Sequence, residues 1–340
     1  MSESEEPSTQ HPYSALTPEA ILDAVESQGF LSDARILGLN SYENRVYQVG
    51  IEGEQPVIAK FYRPERWSDA QILEEHQFIQ DLADLEVPAV APLTNEQGET
   101  LFQWQGFRFA LFPRQGGQAP EVDNLDNLVV IGRYLGRIHA AGAKKPFTHR
   151  PTVDVASFGE ESVNFLLNTP GFIPDELRES YTSLTTHLLE AIREQFGKIT
   201  YQTIRLHGDC HIGNVLWRDD RPHFVDFDDA RNGPSVQDFW MLLSGEREQQ
   251  VVQINKLLDG YYQFYDFDPI ELNLIESLRS LRLMYYAAWL ARRWSDPAFP
   301  HNFPWFNTQR YWSQHILELR EQMAAMNEPP LSLNTGNFNY

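Results

Sequence analysis

The chain has 340 residues, 42% of them hydrophobic and 22% charged, enough apolar material for about two domains or one large two-part unit. A formal net charge of −21 leaves no surplus of cations to neutralise phosphates, which argues against nucleic acid or an anionic membrane as the main partner. One cysteine, Cys210, excludes an intrachain disulfide framework and any CxxC metal site.

The first stretch, Met1–Pro12, is acidic and lacks the basic and apolar regions of a signal peptide. The longest apolar run, Leu283–Ala291, is too short to span a bilayer. A soluble, cytoplasmic protein is expected. The first predicted helix starts at Thr17, a good N-cap, with Pro18 at the first helical position, Ala20, Ile21, Ala24 and Val25 at helical spacing, and Gly29 as a stop. Arg45–Val49 reads as a strand, and Pro56–Tyr62 alternates, with Val57, Ala59 and Phe61 on one side and Ile58, Lys60 and Tyr62 on the other. Ser68 and Gln71 form a capping box for a helix running to about Asp84. A hairpin follows over Thr100–Phe112, with a break at Pro113 and Gly116–Gly117.

From Leu125 the pattern turns helical, with Leu128, Ile131, Leu135 and Ile138 as a stripe ending at Gly142. Further helices are predicted at Glu176–Phe196, Val251–Tyr265, Ile270–Trp294 and Asn307–Met326. One β-rich island, Thr203–Asp229, interrupts them, with a hairpin turn at Asp219–Pro222. The expected architecture is α+β: an acidic tail over 1–14, a small sheet-rich lobe over 15–116, a larger helical lobe over 117–327, and a flexible tail over 328–340.

The densest polar cluster lies on that island: His207-Gly208-Asp209-Cys210-His211-Ile212-Gly213-Asn214, then Val225-Asp226-Phe227-Asp228-Asp229. A strand, a turn and a second strand separate Asn214 from Asp226, so a hairpin returns Asp226 beside the loop that opens it. Asp209, Asn214 and Asp226 are therefore expected to converge. Three oxygen-bearing side chains, two of them anionic, suit a hard cation such as Mg²⁺, which keeps waters and substrate phosphates in its shell. Phosphoryl transfer uses such a set, one carboxylate to orient the attacking hydroxyl and an Asn and an Asp to hold metal on the phosphates. The plainer alternative is a polar loop whose Asp and Asn only satisfy turns; the ordered D-x4-N followed by a later D favours the site.

The sheet-rich lobe offers an independent check. Lys60 sits mid-strand, where an unpaired lysine is out of place. On the following helix Glu75 shares the face of Ile72, Ile79 and Leu82, and a carboxylate in an apolar stripe calls for a partner, for which Lys60 is the candidate. The blander alternative leaves Glu75 at the rim of the stripe, in water.

The runs LHGDCHIGNVLW and FVDFDDA resemble the catalytic and metal-binding segments of the aminoglycoside-phosphotransferase/choline-kinase branch of the protein-kinase-like fold. More narrowly, NSYENRVYQ, KFYRPERWSDAQILEEHQF, IGRYLGRIH, RLHGDCH, DDARNGPSVQDFWMLL and RRWSDPAFPHNFPW resemble a bacterial cytoplasmic serine/threonine protein kinase group within that branch, from about Leu37 to Pro330. The resemblance implies a bilobal kinase-like fold and transfer of the ATP γ-phosphate to Ser/Thr hydroxyls of proteins, including itself, with Mg²⁺, by a monomer. It implies Asp209 as proton acceptor with Asp226 beside it in catalysis, Asn214 and Asp226 as Mg²⁺ ligands, Lys60 with Glu75 as the phosphate-anchoring pair, and Ser41 facing ATP. Asp228 is a reserve metal-site candidate, and Asp238 a helix-capping or loop-bracing acid. Two departures stand out: Asn40-Ser41-Tyr42-Glu43-Asn44 replaces a glycine-rich loop, and the short span from Asp226 to Gly233-Pro234 leaves no room for a phosphorylated activation loop.

Two other functions compete: a small-molecule phosphotransferase acting on an amino alcohol, sugar or antibiotic, and a nucleotide-binding pseudokinase scaffold. A zinc or di-metal hydrolase built on His207, His211 and Asp226 lacks the usual ligand spacings. His207 is expected to brace its loop, Cys210 to be a small buried hydrophobe, and His139 to be a satisfied core or supporting histidine. The aromatic stretch Tyr285–Phe306 reads either as core or as the wall of a substrate site. Arg292 and Arg293 read either as contacts for an acidic substrate or as ordinary surface charges.

Overall fold

The computed structural model describes residues 12–334. The predicted acidic tail therefore lies outside the described residues except for its last positions, where Tyr13 is buried and stacks on Phe107. Residues 335–340 of the predicted C-terminal tail lie outside as well. The ten helices among the described residues are α1 Pro18–Glu26, α2 Asp69–Asp84, α3 Leu125–Gly142, α4 Glu161–Asn168, α5 Asp175–Lys198, α6 Val236–Trp240, α7 Arg247–Tyr261, α8 Ile275–Arg292, α9 Ala298–Asn302 and α10 Gln309–Ala325. The strands are β1 Ser32–Gly38, β2 Arg45–Ile51, β3 Val57–Phe61, β4 Phe102–Trp104, β5 Phe107–Pro113, β6 Ile204–Leu206, β7 Val215–Arg218, β8 Arg221–Phe224 and β9 Arg231–Gly233. No described helix is long and apolar enough to cross a membrane.

Two compact units emerge. Among the described residues the first holds 12–72, Pro92–Arg114 and Arg292–Pro304; the second holds Leu73–Ala91, Gln115–Ala291 and 305–334. Whereas the sequence pattern leaves 292–304 within the helical region, the structure groups it with the sheet, held there by the ion pairs of Arg293 and Asp296.

The sheet unit is a five-stranded antiparallel sheet in the order β1-β2-β3-β5-β4. Thr17 caps α1 through its hydroxyl, which accepts the Ala20 N–H at 3.2 Å, and the predicted face of Ala20, Ile21, Ala24 and Val25 is buried. Ile21, Ala24 and Val25 of that face join Val49, Val57, Ala59, Phe61, Phe109 and Leu111 in one core. The alternation of β3 thus sorts as its sequence dictates, since Val57, Ala59 and Phe61 enter this core. Lys60 goes to the opposite face, opposite Val46 and Ala110 in the ladder, buried, with its ammonium 5.1 Å from the ring centroid of Tyr62.

In the helical unit α3 and α7 approach at backbone contact. A Cβ on Gly132 would stand 1.9 Å from the Leu257 carbonyl oxygen, and one on Gly260 equally close to that of Val129, so only glycine permits this crossing. The predicted helix at Ile270–Trp294 divides into a 3₁₀ segment, Pro269–Leu274, capped by Asp268, and α8. Beyond α10 the chain crosses α7: Arg247 pairs with Glu328, and Asn255 donates to the Ser332 carbonyl and accepts from the Asn334 N–H.

Four short strands frame the candidate site. β6 pairs with β9, and β7 pairs with β8. Nested ribbons in the chain order β6-β7-β8-β9 bring the β6–β7 and β8–β9 connections to the same end. The β7–β8 turn consists of Asp219 and Asp220, both at positive φ, as a two-residue hairpin turn that follows the strand twist requires.

His315 on α10 is fully buried between the rings of Tyr181 and Tyr311, and burial lowers its pKa to about 4. An unfolded histidine takes up a proton near pH 6.5, so the unfolded chain binds more protons between pH 6.5 and 4, and stability falls as pH drops through that window. The loss attributable to this residue is expected to reach about 3 kcal/mol by pH 4. Urea unfolding at pH 7.5 and 4.5 should show a smaller pH-dependent loss for His315→Phe than for the parent; an equal loss would contradict it.

Candidate functional site

The β6–β7 connection is held from beneath by one carboxylate. Asp238, on the short helix α6, accepts the backbone N–H of His207 through Oδ2 and that of Gly208 through Oδ1, both at 2.8 Å. His139 on α3 adds a contact from Nε2 to Oδ2 at 3.1 Å, and its Nδ1 meets the Tyr261 hydroxyl at 2.8 Å. All these side chains are buried. Asp238 and His139 thus act as the bracing and supporting groups the sequence suggests.

Gly208 takes a φ of +84°, and a Cβ there would stand 2.1 Å from the Asp229 carbonyl oxygen. Glycine at this point lets the loop bearing Asp209 press against the loop bearing Asp226. His207 completes the join: its Nε2 donates to the Val225 carbonyl at 2.9 Å, and its ring lies 4.4 Å from that of Phe227. Its Nδ1 in turn accepts the Asp209 N–H at 3.4 Å, so both ring nitrogens of His207 brace the loop. Among the described residues no three His, Cys, Asp or Glu side chains gather as a metal cluster.

The loop closes on itself through Asn214. Its Nδ2 donates to the Asp209 carbonyl at 2.9 Å, and its own carbonyl accepts the Val225 N–H at 3.0 Å. Asp226 follows directly in the left-handed region, φ 58° and ψ 63°, a conformation that costs a non-glycine residue energy and is retained where the surroundings enforce it. Asn214 is therefore bonded to Asp209 directly and to Val225, the residue that leads into Asp226, which brings the three residues together. Asp228 is buried beside them. Cys210 is fully buried, and burial together with Asp238 and Asp209 pushes its thiol well above the usual range, which removes it as a nucleophile.

Two arginines that the sequence patterns did not single out contact this region. Arg282 on α8 places Nη2 at 2.7 Å from Asp209 Oδ1; burial alone would lower its pKa, and the carboxylates of Asp209 and Asp229 more than offset this. Arg150 is fully buried, donates from Nη2 to Glu75 Oε2 at 2.7 Å, and from Nη1 to the carbonyls of Asp228 and Ala230 at 2.8 Å. It joins the α2 carboxylate to the Asp226 loop. The neighbouring Glu74 collects the N–H groups of Thr148, His149 and Arg150; burial would raise its pKa, but these donors hold it below the usual carboxylate range. Arg282 sits within the apolar run Leu281–Met284, a signal of the same kind as Lys60 in its strand. Arg150 lies in a loop and leaves no periodic trace.

The remaining sequence candidates sit on other elements. Glu75 is buried on the helical-unit part of α2, in contact with Arg150. Lys60 and Ser41 belong to the sheet unit, Lys60 buried in β3 and Ser41 half-buried in the β1–β2 connection.

Comparison with known proteins places this arrangement in a class. Residues 35–272 match the model of the phosphotransferase enzyme family, and the chain belongs to that family. Its fold is kinase-like, a small antiparallel-sheet lobe and a larger helical one. A Salmonella typhimurium protein named serine/threonine protein kinase RdoA is 47% identical over 321 residues, covering 94% of this chain and 97% of that protein. The Escherichia coli K12 protein named stress response kinase A matches with the same identity and coverage. Among solved structures, amicoumacin kinase hAmiN in complex with AMP-PNP, Ca²⁺ and Ami superposes with a TM-score of 0.70 at 18% identity, covering 92% of this chain and 95% of that one.

Removing the brace tests the architecture. Asp238→Ala leaves the buried N–H groups of His207 and Gly208 without their acceptor, at about 1–3 kcal/mol for each orphaned group. A destabilisation of roughly 3 kcal/mol in urea unfolding is expected, and a value within 0.5 kcal/mol (about the size of a surface substitution) would show that the carboxylate does not hold the loop.

Proposed function

We propose that the protein is an ATP- and Mg²⁺-dependent serine/threonine protein kinase that transfers the ATP γ-phosphate to hydroxyl groups of proteins, itself included, as a cytoplasmic monomer. The single observation that carries the reading is the tying of Asp209, Asn214 and Asp226 into one volume.

Asp209 pairs through Oδ1 with Arg282 at 2.7 Å, while Oδ2 lies 3.6 Å from His211 Nε2, beyond hydrogen-bond distance, and serves the acceptor hydroxyl. It orients that hydroxyl and accepts its proton as the new O–P bond forms and the γ-phosphate leaves the β-phosphate oxygen. Asn214 commits its amide nitrogen to the Asp209 carbonyl, which leaves its amide oxygen to ligate a metal. With Asp226 it supplies two hard oxygen ligands, a set that suits Mg²⁺ because Mg²⁺ fills its other positions with water and phosphate oxygens. When bound, the metal neutralises charge on the transferring phosphoryl group. In this reading Lys60 contacts the α- and β-phosphates with Glu75 as its partner, and the Ser41 hydroxyl faces the nucleotide. Arg150, bonded to both Glu75 and the Asp228 and Ala230 carbonyls, makes the position of Glu75 depend on that of the metal-binding loop.

The names of the relatives at 47% identity support a protein acceptor. A second reading, a small-molecule kinase, is favoured by the fold neighbour named amicoumacin kinase. Incubation with γ-labelled ATP and Mg²⁺, alone and with a generic basic protein, distinguishes the two. Label is expected on protein and is expected to vanish in Asp209→Asn. Turnover with small alcohols alone would favour the second reading, and nucleotide binding without turnover would overturn both.

The ion pair at Asp209 gives a separate expectation. Arg282→Met frees Oδ1 and lets the carboxylate rotate, so kcat should fall at least about tenfold while the KM for ATP changes less than about twofold. Steady-state kinetics on ATP measures both, and a rise in KM with unchanged kcat would contradict it.

A further inference from the structure

The β1–β2 connection, Asn40–Asn44, contains no glycine, yet it occupies the chain position at which the proposed reading places the nucleotide. Its second half is locked. Arg293, just beyond α8, approaches Glu43 with two nitrogens, Nε at 2.6 Å from Oε2 and Nη2 at 2.8 Å from Oε1. Arg63 stands at 3.1 Å and Arg66 at 3.8 Å from the same Oε1. The main chain is held as well: the Glu43 carbonyl accepts from the Tyr13 hydroxyl and Arg63 Nε, and the Asn44 side-chain oxygen accepts the Arg63 N–H.

A second carboxylate completes the network. Asp296 is buried and accepts from Arg63 Nη2 at 2.7 Å, with Arg45 at 3.5 Å. Phe303, from the same returning segment, packs on Tyr42 with ring centroids 4.8 Å apart. Residues 292–304 thus reach the connection at three successive points: Tyr42, Glu43 and, through Asp296 and Arg63, Asn44. Arginine suits this task because its planar fork binds a carboxylate with two nitrogens at fixed geometry. Arg293 is neither a loose surface charge nor a contact kept open for an acidic substrate.

We propose that Glu43 and Arg293 are positioning residues that latch the β1–β2 connection to the returning segment 292–304, so that Ser41 is presented to the nucleotide by a pinned loop instead of a flexible glycine-rich one. The proposal rests on the kinase reading for what the loop binds, and on the sheet unit's own contacts for the latch. A glycine-rich loop approaches phosphate because its backbone has no side chains to exclude and many conformations to sample. Here the conformations are removed before ligand arrives, which reduces the ordering cost of binding. Losing the latch should therefore weaken nucleotide binding and leave the chemical step almost unchanged.

The test uses the full chain, Glu43→Gln, Arg293→Met, the double variant and Arg293→Lys. Amide hydrogen exchange of residues 40–44 without nucleotide is expected to quicken at least about tenfold in either single variant, and in the double variant by clearly less than the product of the two, because both changes remove the shared Glu43–Arg293 pair. The KM for ATP should rise about tenfold with kcat within about twofold, and Arg293→Lys should recover part of the difference. Wild-type exchange at 40–44 in the folded variants, or additive effects in the double variant, would overturn the latch. Because the exchange is read without nucleotide, it remains decisive even if the parent neither binds nor turns over ATP, an outcome that would end the kinase reading alone.

Discussion

The geometry of the site depends on one carboxylate that accepts two consecutive backbone N–H groups. Asp238 fixes His207 and Gly208, and every later contact is referred to that point. His207 can reach the Val225 carbonyl, Gly208 can press on Asp229, and Asn214 can close back on Asp209 only once the loop has left β6 in this direction. A buried carboxylate is costly without partners. Here the two N–H donors and His139 satisfy it, so desolvation converts into directional strength. The same device recurs at Glu74, which collects three N–H groups of the 148–150 loop. In both cases a carboxylate on a helix stands in for the strand pairing that the loop lacks.

Much of this was legible in the sequence because it is local. The Ser68–Gln71 box at the start of α2, the Thr17 cap of α1 and the alternation of β3 are decided by residues within a few positions of each other. The convergence of Asp209, Asn214 and Asp226 was legible for the same reason, since a hairpin of known length returns the chain. The partners of these residues were not. Arg150 meets Glu75 across 75 positions, and Arg293 meets Glu43 across 250, and neither spacing belongs to a helix or a strand. β1 and β9 were missed because neither shows a clean alternation of burial. β9 is a strand because β6 lies beside it, a tertiary effect that propensity does not encode.

The charge balance acquires a structural meaning. In a chain with 48 acidic and 27 basic residues, arginine forms the buried pairs Arg63 with Asp296 and Arg150 with Glu75, and the half-buried pair Arg231 with Asp229. A forked, always-charged donor can serve a carboxylate and a main-chain carbonyl together, as Arg150 does with Glu75 and the 228–230 turn. Lysine offers a single, strongly hydrated point of charge. Lys60 is therefore distinctive: it is the buried lysine among the described residues, on the sheet face away from the larger core.

The chemistry assigned to Asp209, Asn214 and Asp226 involves only a hydroxyl and a polyphosphate, groups that protein and small-molecule acceptors share. Those three residues therefore do not by themselves distinguish the two classes of acceptor. The discrimination has to come from side chains beside Asp209 that lie outside the two loops. Helix α8 supplies a face of that kind. Arg282, Tyr285, Tyr286 and Trp289 recur at helical spacing and are all half-buried, while Leu281, Met284 and Ala288 between them point into the core. Tyr285 stacks on Phe158, and Tyr286 on Trp289. These rings are held in place by packing, so they form a rigid surface that begins at the guanidinium on Asp209. The fixed guanidinium at its start repels a cationic neighbour of the hydroxyl and attracts an acidic one, while the rings offer apolar area.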